Sequence, residues 1–277
     1  MAQLPARYVP LIQRLLRWLR PAPALLDEAL WQQLCQHSAL LAGLGSERSQ
    51  QVRQLAGIFL AEKTITPLHG LALCNTQRAL LAALCCLPLT QLGHRGLYGW
   101  SQLLVYPDAF RVQRSHLDAA GVLHQWDDEI IGESWQDGPL ILSWADVLAD
   151  LAEADAGFCV VVHEMAHKID SLNGALDGTP PLDRPWQRQW AADFQQAYDW
   201  LCHQLDCGQD TGIDPYAAQA PEEFFAVTSE YHFSNPQLLA RVMPAVAAHL
   251  QRYYGPSPMA GSAAPRQLPA ITDPAAG

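Results

Sequence analysis

The sequence predicts an α+β fold that is mainly helical and contains a small, mostly antiparallel sheet. Apolar residues recur at intervals of three and four from about residue 9 to residue 87 and again after residue 145, which is typical of amphipathic helices. Between residues 97 and 144 the pattern changes to short runs rich in β-branched and aromatic residues, separated by Gly, Pro and Asp. Beyond Gly255 the chain is rich in Pro, Ala, Ser and Gly.

These changes in composition divide the 277 residues into three regions. Residues 1–95 are predicted to form a helical region that packs on the core. Residues 96–255 are predicted to form the core domain that contains the sheet. Residues 256–277 are predicted to be a disordered, Pro- and Ala-rich tail, because a segment made mainly of Pro, Ala, Ser and Gly has few large apolar side chains to bury.

The elements of the first region are predicted from helical spacing. The helical runs are 11–19, 25–44 and 51–60, and Pro21-Ala22-Pro23 and Thr66-Pro67 punctuate them. The stretch from Leu71 to Pro88 is more apolar, but polar residues interrupt it at 74–78. It is therefore predicted to be a buried helix rather than a membrane span, which needs about 18 uninterrupted apolar residues.

The second region begins with the predicted sheet and continues with helices. The predicted strands are the apolar runs Leu103–Val105, Phe110–Val112, Ile130–Ile131 and Leu140–Trp144. The predicted helices that follow are 145–152, 158–171, 184–205, 221–233 and 236–254.

Charge and cysteine usage exclude several classes of protein. The formal net charge of −11 argues against nucleic-acid binding, which normally needs a basic face. The segment 115–167 has eleven acidic residues and no Lys or Arg, which indicates either a solvated acidic surface or a negative field around a cation or a cationic substrate. The seven cysteines are odd in number and irregularly spaced, which favours free thiols in a reducing cytoplasm.

The motif with the clearest chemistry is H-E-x-x-H at residues 163–167, in a stretch with a helical pattern. Residues four apart lie on one face of a helix, so His163 and His167 can converge on one tetrahedral Zn²⁺. Glu164 lies beside that face, where it can reach a water molecule without binding the metal.

A catalytic zinc needs a third protein ligand and keeps its fourth position open. The downstream candidates with suitable side chains are Asp170, Asp177, His203, Glu222, Glu223, Glu230 and His232. Asp170 is better placed to bond the free ring nitrogen of a ligand histidine than to bind the metal. Glu222 and Glu223 open a predicted helix, and only one of them needs to turn inward.

Three segments together resemble a known family: H-E-M-A-H-K-I-D at 163–170, Tyr216-Ala217-Ala218, and P-E-E-F-F-A-V-T-S-E-Y-H-F at 221–233. They are similar to the Mlc titration factor A family, bacterial cytoplasmic zinc metallopeptidases related to the catalytic domain of anthrax lethal factor. The resemblance covers about residues 103–254 and implies a zincin-like fold, so that residues 96–255 would be a zincin-like catalytic domain.

The resemblance also implies roles for single residues. His163 and His167 match the zinc-binding histidines, with one zinc per chain, and Glu164 matches the general base. Glu223 matches the third ligand, although Glu222 beside it leaves that assignment open. Tyr216 matches a tyrosine that lies near the scissile carbonyl in lethal-factor-like sites.

We therefore expect a zinc-dependent peptidase whose substrates are peptides or proteins and which neither binds nucleic acid nor enters a membrane. The residues leave open whether it acts as an aminopeptidase or an endopeptidase. The family name also implies an alternative, in which the protein sequesters a transcriptional repressor like Mlc and its peptidase activity is secondary or latent.

Overall fold

The computed structural model describes residues 25–108 and 138–261. Helices dominate these residues, in chain order α1 (Glu28–His37), α2 (Ala39–Ala42), α3 (Ser46–Glu62), α4 (Asn75–Cys86), α5 (Trp144–Ala152), α6 (Val160–Asp170), α7 (Arg184–Asp206), α8 (Pro221–Ser234), α9 (Pro236–Val242) and α10 (Pro244–Tyr254). The strands are β1 (Thr64–Pro67), β2 (Gln102–Tyr106) and β3 (Leu140–Ser143). The prediction of a mainly helical protein with a small sheet is confirmed.

The sheet is parallel, and the prediction of a mostly antiparallel sheet was wrong. Its order is β1-β2-β3, with Ile65 opposite Leu103 and Leu103 opposite Leu140. Neighbouring parallel strands need a crossover connection rather than a tight turn, and α4 lies in the connection between β1 and β2. The Gly-, Pro- and Asp-rich turns suggested hairpins, but the partner of β2 comes from the helical region upstream.

Most predicted helices are confirmed, with three local corrections. The helix predicted over 25–44 is two helices, α1 and α2, because the backbone of Ser38 between them is extended and its side chain caps the start of α2. The first region was predicted as helices throughout, yet Thr64–Pro67 forms β1. The helix predicted over 236–254 is two helices, because Pro244 has no N–H to continue α9 and starts α10 instead. The predicted helix at 11–19 and the predicted strands at 110–112 and 130–131 lie outside the described residues.

The predicted disordered tail starts too early. Pro258 and Met259 are buried, and Met259 is only 6% exposed. Arg48 of α3 anchors this segment by donating hydrogen bonds to the carbonyls of Tyr254 and Pro256. Residues 262–277 lie outside the described residues, and the division into three regions stays a prediction.

The core is organised around α4, α6 and α8. In α4, every residue from Ala79 to Cys86 is buried, as predicted for this stretch. In α8, every residue from Phe224 to Ser234 is buried, which is the pattern of a helix surrounded on all sides. α6 packs against α8 on one side and β3 on another. Within the described residues, no helix is both long and apolar enough to cross a membrane.

Candidate metal centre

Helix α6 presents two histidines on one buried face. His163 and His167 are four residues apart, and their side chains are 1% and 3% exposed. Their Nε2 atoms lie 3.2 Å from each other. The i, i+4 spacing of the motif therefore gives the convergence that the sequence predicted.

Helix α8 brings Glu223 to the same point. Its Oε2 lies 3.0 Å from Nε2 of His163 and 3.5 Å from Nε2 of His167. Burial acts to raise the pKa of Glu223, but the two facing imidazoles outweigh it and hold the pKa well below its usual range. Glu222 is not part of this cluster, and its charge acts instead on Asp170 and Tyr198.

The three facing atoms fit a tetrahedral metal ion. They are separated by 3.0, 3.2 and 3.5 Å, and two ligands on a tetrahedral zinc are separated by roughly 3.3 Å when each bond is about 2.05 Å. Oε2 of Glu223 is buried without a well-aligned hydrogen-bond donor, which a cation would compensate. Among the described residues, His163, His167 and Glu223 form the group of three or more side chains that could hold a metal ion.

Glu164 occupies the point where α6 meets solvent. Every other residue of this helix is buried, whereas Glu164 is partly exposed. A carboxylate at this position can exchange protons with water or with a bound molecule, which the buried side chains around it cannot do as readily.

Tyr216 lies beside the histidines on a short 3₁₀ turn, Pro215–Ala218. The centroid of its ring is 6.0 Å from that of His163. Asp214 caps the turn by accepting a hydrogen bond from the Tyr216 amide. The turn is held to α8, since the hydroxyl of Tyr231 accepts from the Asp214 amide and donates to the Gly212 carbonyl.

Glu230 contacts the centre in a way that the sequence did not reveal. It was a candidate third ligand, but its Oε1 lies 2.7 Å from Nδ1 of His163, the ring nitrogen that faces away from the cluster. We expected Asp170 to have this kind of contact with a ligand histidine. Asp170 instead accepts a hydrogen bond from the Gly178 amide, and burial raises its pKa to about 7.

The remaining candidates lie apart from the cluster. Asp177 accepts a hydrogen bond from the Thr179 amide, and His203 contacts Cys207 near the end of α7. His232 is buried among aromatic rings of α8 and α10. The sequence did contain one indication that Glu230 lies near the centre. It is seven residues after Glu223, and residues seven apart lie on the same face of a helix.

A protein-family model and individual known proteins both match this chain, and the two comparisons agree on its family. A family model described as glucose-regulated metallo-peptidase M90 matches residues 13–255. The chain is 38% identical over 224 residues to Mlc titration factor A of Yersinia enterocolitica, which covers 80% of this chain and 83% of the relative. It is 37% identical to Mlc titration factor A of Serratia proteamaculans over 80% of this chain and 85% of the relative.

The match to the family model spans nearly all of the described residues and includes both helices of the centre. Together with the relatives, it confirms the resemblance seen in the three sequence segments. The chain therefore belongs to the glucose-regulated metallo-peptidase M90 family, with the Mlc titration factor A proteins.

Proposed function

We propose that this protein is a zinc-dependent peptidase with a zincin-like site. The observation that carries this proposal is the convergence of Nε2 of His163, Nε2 of His167 and Oε2 of Glu223 within 3.5 Å of one another. Two imidazoles and one carboxylate are the ligand set of a catalytic zinc, which keeps a fourth position open. One zinc per chain is expected.

The chain supplies the remaining groups for hydrolysis. Zinc held by these three residues would polarise a peptide carbonyl and lower the pKa of a water molecule. Glu164 accepts the proton of the attacking water and passes it to the leaving amine, as its partly exposed position on α6 allows. Tyr216 donates a hydrogen bond to the oxyanion that develops on the carbonyl oxygen.

Strand β3 is the candidate binding site for the backbone of the substrate. It forms one edge of the three-stranded sheet among the described residues, and Ile141 on it is 43% exposed. An extended peptide can add to such an edge through backbone hydrogen bonds. The buried Lys168 of α6 donates a hydrogen bond to the Gly138 carbonyl, which ties the approach to β3 to the metal-binding helix.

The variant Glu164→Gln tests the enzymatic proposal. Loss of a general base lowers the rate by about 10²–10⁴-fold, so peptide hydrolysis should fall by that factor while one zinc per chain is retained. Glu153→Gln, which neutralises an exposed carboxylate just after α5, is the matched control and should keep full activity. Zinc-loaded wild type that hydrolyses no peptide, or a fully active Glu164→Gln, would refute the proposal.

A second function is favoured by the name that the relatives carry. Both are named for the titration of Mlc, so we propose that a repressor of this kind is a partner of the present chain, in the cytoplasm. The two functions separate by mutation, because Glu164→Gln removes a proton acceptor but keeps nearly the same side-chain size and shape. Binding of the purified repressor should be the same for wild type and Glu164→Gln, and absence of binding in both would reject this partner.

A further inference from the structure

Glu230 is a buried acid whose two oxygens contact two different parts of α6. Its side chain is 2% exposed. One oxygen, Oε1, lies 2.7 Å from Nδ1 of His163. The other, Oε2, accepts a hydrogen bond of 2.6 Å from the amide of Cys159, the residue that precedes α6.

We propose that Glu230 is a positioning residue of the metal centre, which fixes the tautomer and the ring orientation of His163. This inference assumes the metal-binding role proposed above for His163, but not the peptidase activity. An ionised carboxylate only accepts hydrogen bonds, so Nδ1 of His163 must carry the proton and Nε2 must present its lone pair to the metal.

Two features around Glu230 act against the cost of burying its charge. The carboxylate lies at the N-terminal end of α6, where the helix dipole stabilises a negative charge. It accepts a backbone N–H there, and hydrogen bonds to an ionised acceptor are stronger than those between neutral groups.

The two helices bring this contact about through their residue spacing. On α6, Cys159, His163 and His167 follow each other at intervals of four, and on α8 Glu223 and Glu230 are seven apart, so each set lies on one helix face. Glu230 meets the beginning of α6 and Glu223 meets the middle, which shows that the helices run antiparallel along this contact.

His163 is thus contacted at both ring nitrogens by acids from α8. Glu223 faces Nε2, and Glu230 faces Nδ1. Rotation of the ring would break the hydrogen bond to Glu230, so this bond sets the ring orientation before a metal arrives. It leaves the lone pair of Nε2 beside Oε2 of Glu223, an arrangement that a cation between the two atoms makes favourable. Preorganised ligands bind metal more tightly, and loss of such an outer partner typically costs about 10–100-fold in affinity.

A matched control is available on the same helix end. Asp150 of α5 accepts a hydrogen bond of 2.7 Å from the Val160 amide, so it caps α6 as Glu230 does. If Glu230 only capped the helix, Asp150→Asn and Glu230→Gln should have similar effects, since each replaces one capping carboxylate by an amide.

The experiment compares full-length wild type, Glu230→Gln and Asp150→Asn. Zinc affinity is measured by competition with a chromophoric chelator, the melting temperature is measured without metal, and the visible absorption bands are recorded with Co²⁺ in place of zinc. Glu230→Gln should weaken zinc binding by about 10–100-fold and shift the Co²⁺ bands. Asp150→Asn should keep zinc affinity within about threefold and leave the bands unchanged, because it removes only a cap on the helix backbone.

Each other outcome overturns the inference. Unchanged zinc affinity in Glu230→Gln, with or without a lower melting temperature, would make Glu230 a structural residue only. Equal losses in Glu230→Gln and Asp150→Asn would assign the effect to the helix end. If Glu230→Gln does not fold, Glu230→Asp makes the same test, because it keeps both oxygens but withdraws them from His163 by one methylene, and it too should weaken zinc binding.

The test also separates this inference from the enzymatic proposal. Zinc-binding wild type without hydrolysis would reject the peptidase and leave the role of Glu230 intact. Wild type that binds no zinc would reject the metal centre and this inference together.

Discussion

The side chains of the metal centre differ in solvent exposure, and this difference matches their proposed roles. His163 and His167 are almost completely buried, the side chain of Glu223 is 18% exposed, and Glu164 is partly exposed. A histidine binds a metal through an unprotonated ring nitrogen, which needs no contact with bulk water. A proton acceptor, in contrast, must reach water and substrate, and Glu164 is the residue of α6 that can do so.

Tyr216→Phe tests the role of the tyrosine hydroxyl. If the hydroxyl stabilises the oxyanion, kcat should fall by about 10²-fold or more, as for other oxyanion donors, while zinc affinity stays unchanged. The measurement is steady-state hydrolysis beside a zinc titration. The exposed Tyr98→Phe is the control, and an unchanged kcat in Tyr216→Phe would show that the tyrosine only packs against His163.

His232 predicts a distinct pH dependence of stability. It is 3% exposed, its Nε2 has no hydrogen-bond partner among the described residues, and burial, helped by the charge of Arg48, lowers its pKa to about 3. Because the unfolded chain protonates His232 near pH 6.5, its contribution to stability is complete above that pH. It declines as the pH falls toward the folded pKa, by up to about 1.4 kcal/mol per pH unit.

The free energy of unfolding should therefore fall by about 2 kcal/mol more in wild type than in His232→Gln between about pH 7 and pH 5. Urea unfolding of the metal-free proteins measures it. His203→Gln replaces a histidine on α7 that is not buried and should behave as wild type. Parallel pH profiles for wild type and His232→Gln would contradict the assignment.

At the scale of elements, the centre depends on how α8 is held against α6. Gly178, in the loop between α6 and α7, links these two helices. Its amide donates a hydrogen bond to Asp170 at the end of α6, and its carbonyl accepts one from Nε1 of Trp190 on α7. Gly178 also has φ +78° and lies against the start of α8, where a Cβ atom would come within 2.4 Å of the Pro221 carbonyl oxygen.

Gly178→Ala should therefore displace the helix turn that carries Glu223. We expect a loss of unfolding free energy greater than the about 1–2 kcal/mol of left-handed backbone strain, together with weaker zinc binding. Gly208→Ala is the control, since Gly208 has φ +68° but nothing lies within 4 Å of the position that its Cβ atom would take. Gly208→Ala should lose only the unfolding free energy that corresponds to backbone strain. Equal zinc affinity in Gly178→Ala and Gly208→Ala would contradict the role assigned to the Pro221 contact.

Local sequence patterns predicted the individual helices and ligand residues better than they predicted how the strands and helices pack together. The i, i+4 histidines, the apolar spacing of α4 and α8, and the motif match of Glu223 were readable because each depends on residues close in sequence. The parallel pairing of β1 with β2 joins residues 38 apart, as Thr64 opposite Gln102 shows, and no local pattern encodes it. The contact of Glu230 with His163 spans 67 residues and was missed in the same way.

At the scale of the whole molecule, the metal should couple distant segments into one folding unit. The three proposed ligands come from α6 and α8, so a bound ion stabilises the packing between these helices. Zinc at about a thousand times its Kd would add about 4 kcal/mol to the free energy of unfolding. We expect chelation to lower the melting temperature, zinc to restore it, and His167→Ala to show neither response.

The position of β1 in the sheet has a consequence for shortened forms of the chain. A fragment that starts at residue 96 lacks β1, so one whole side of β2, from Gln102 to Val105, loses its backbone partners. An uncovered strand of the sequence Q-L-L-V is a template for pairing with other molecules, and such fragments should self-associate. Proteolytic loss of the first region would therefore lead to aggregation before any loss of the residues around His163, and light scattering of the fragment would show it.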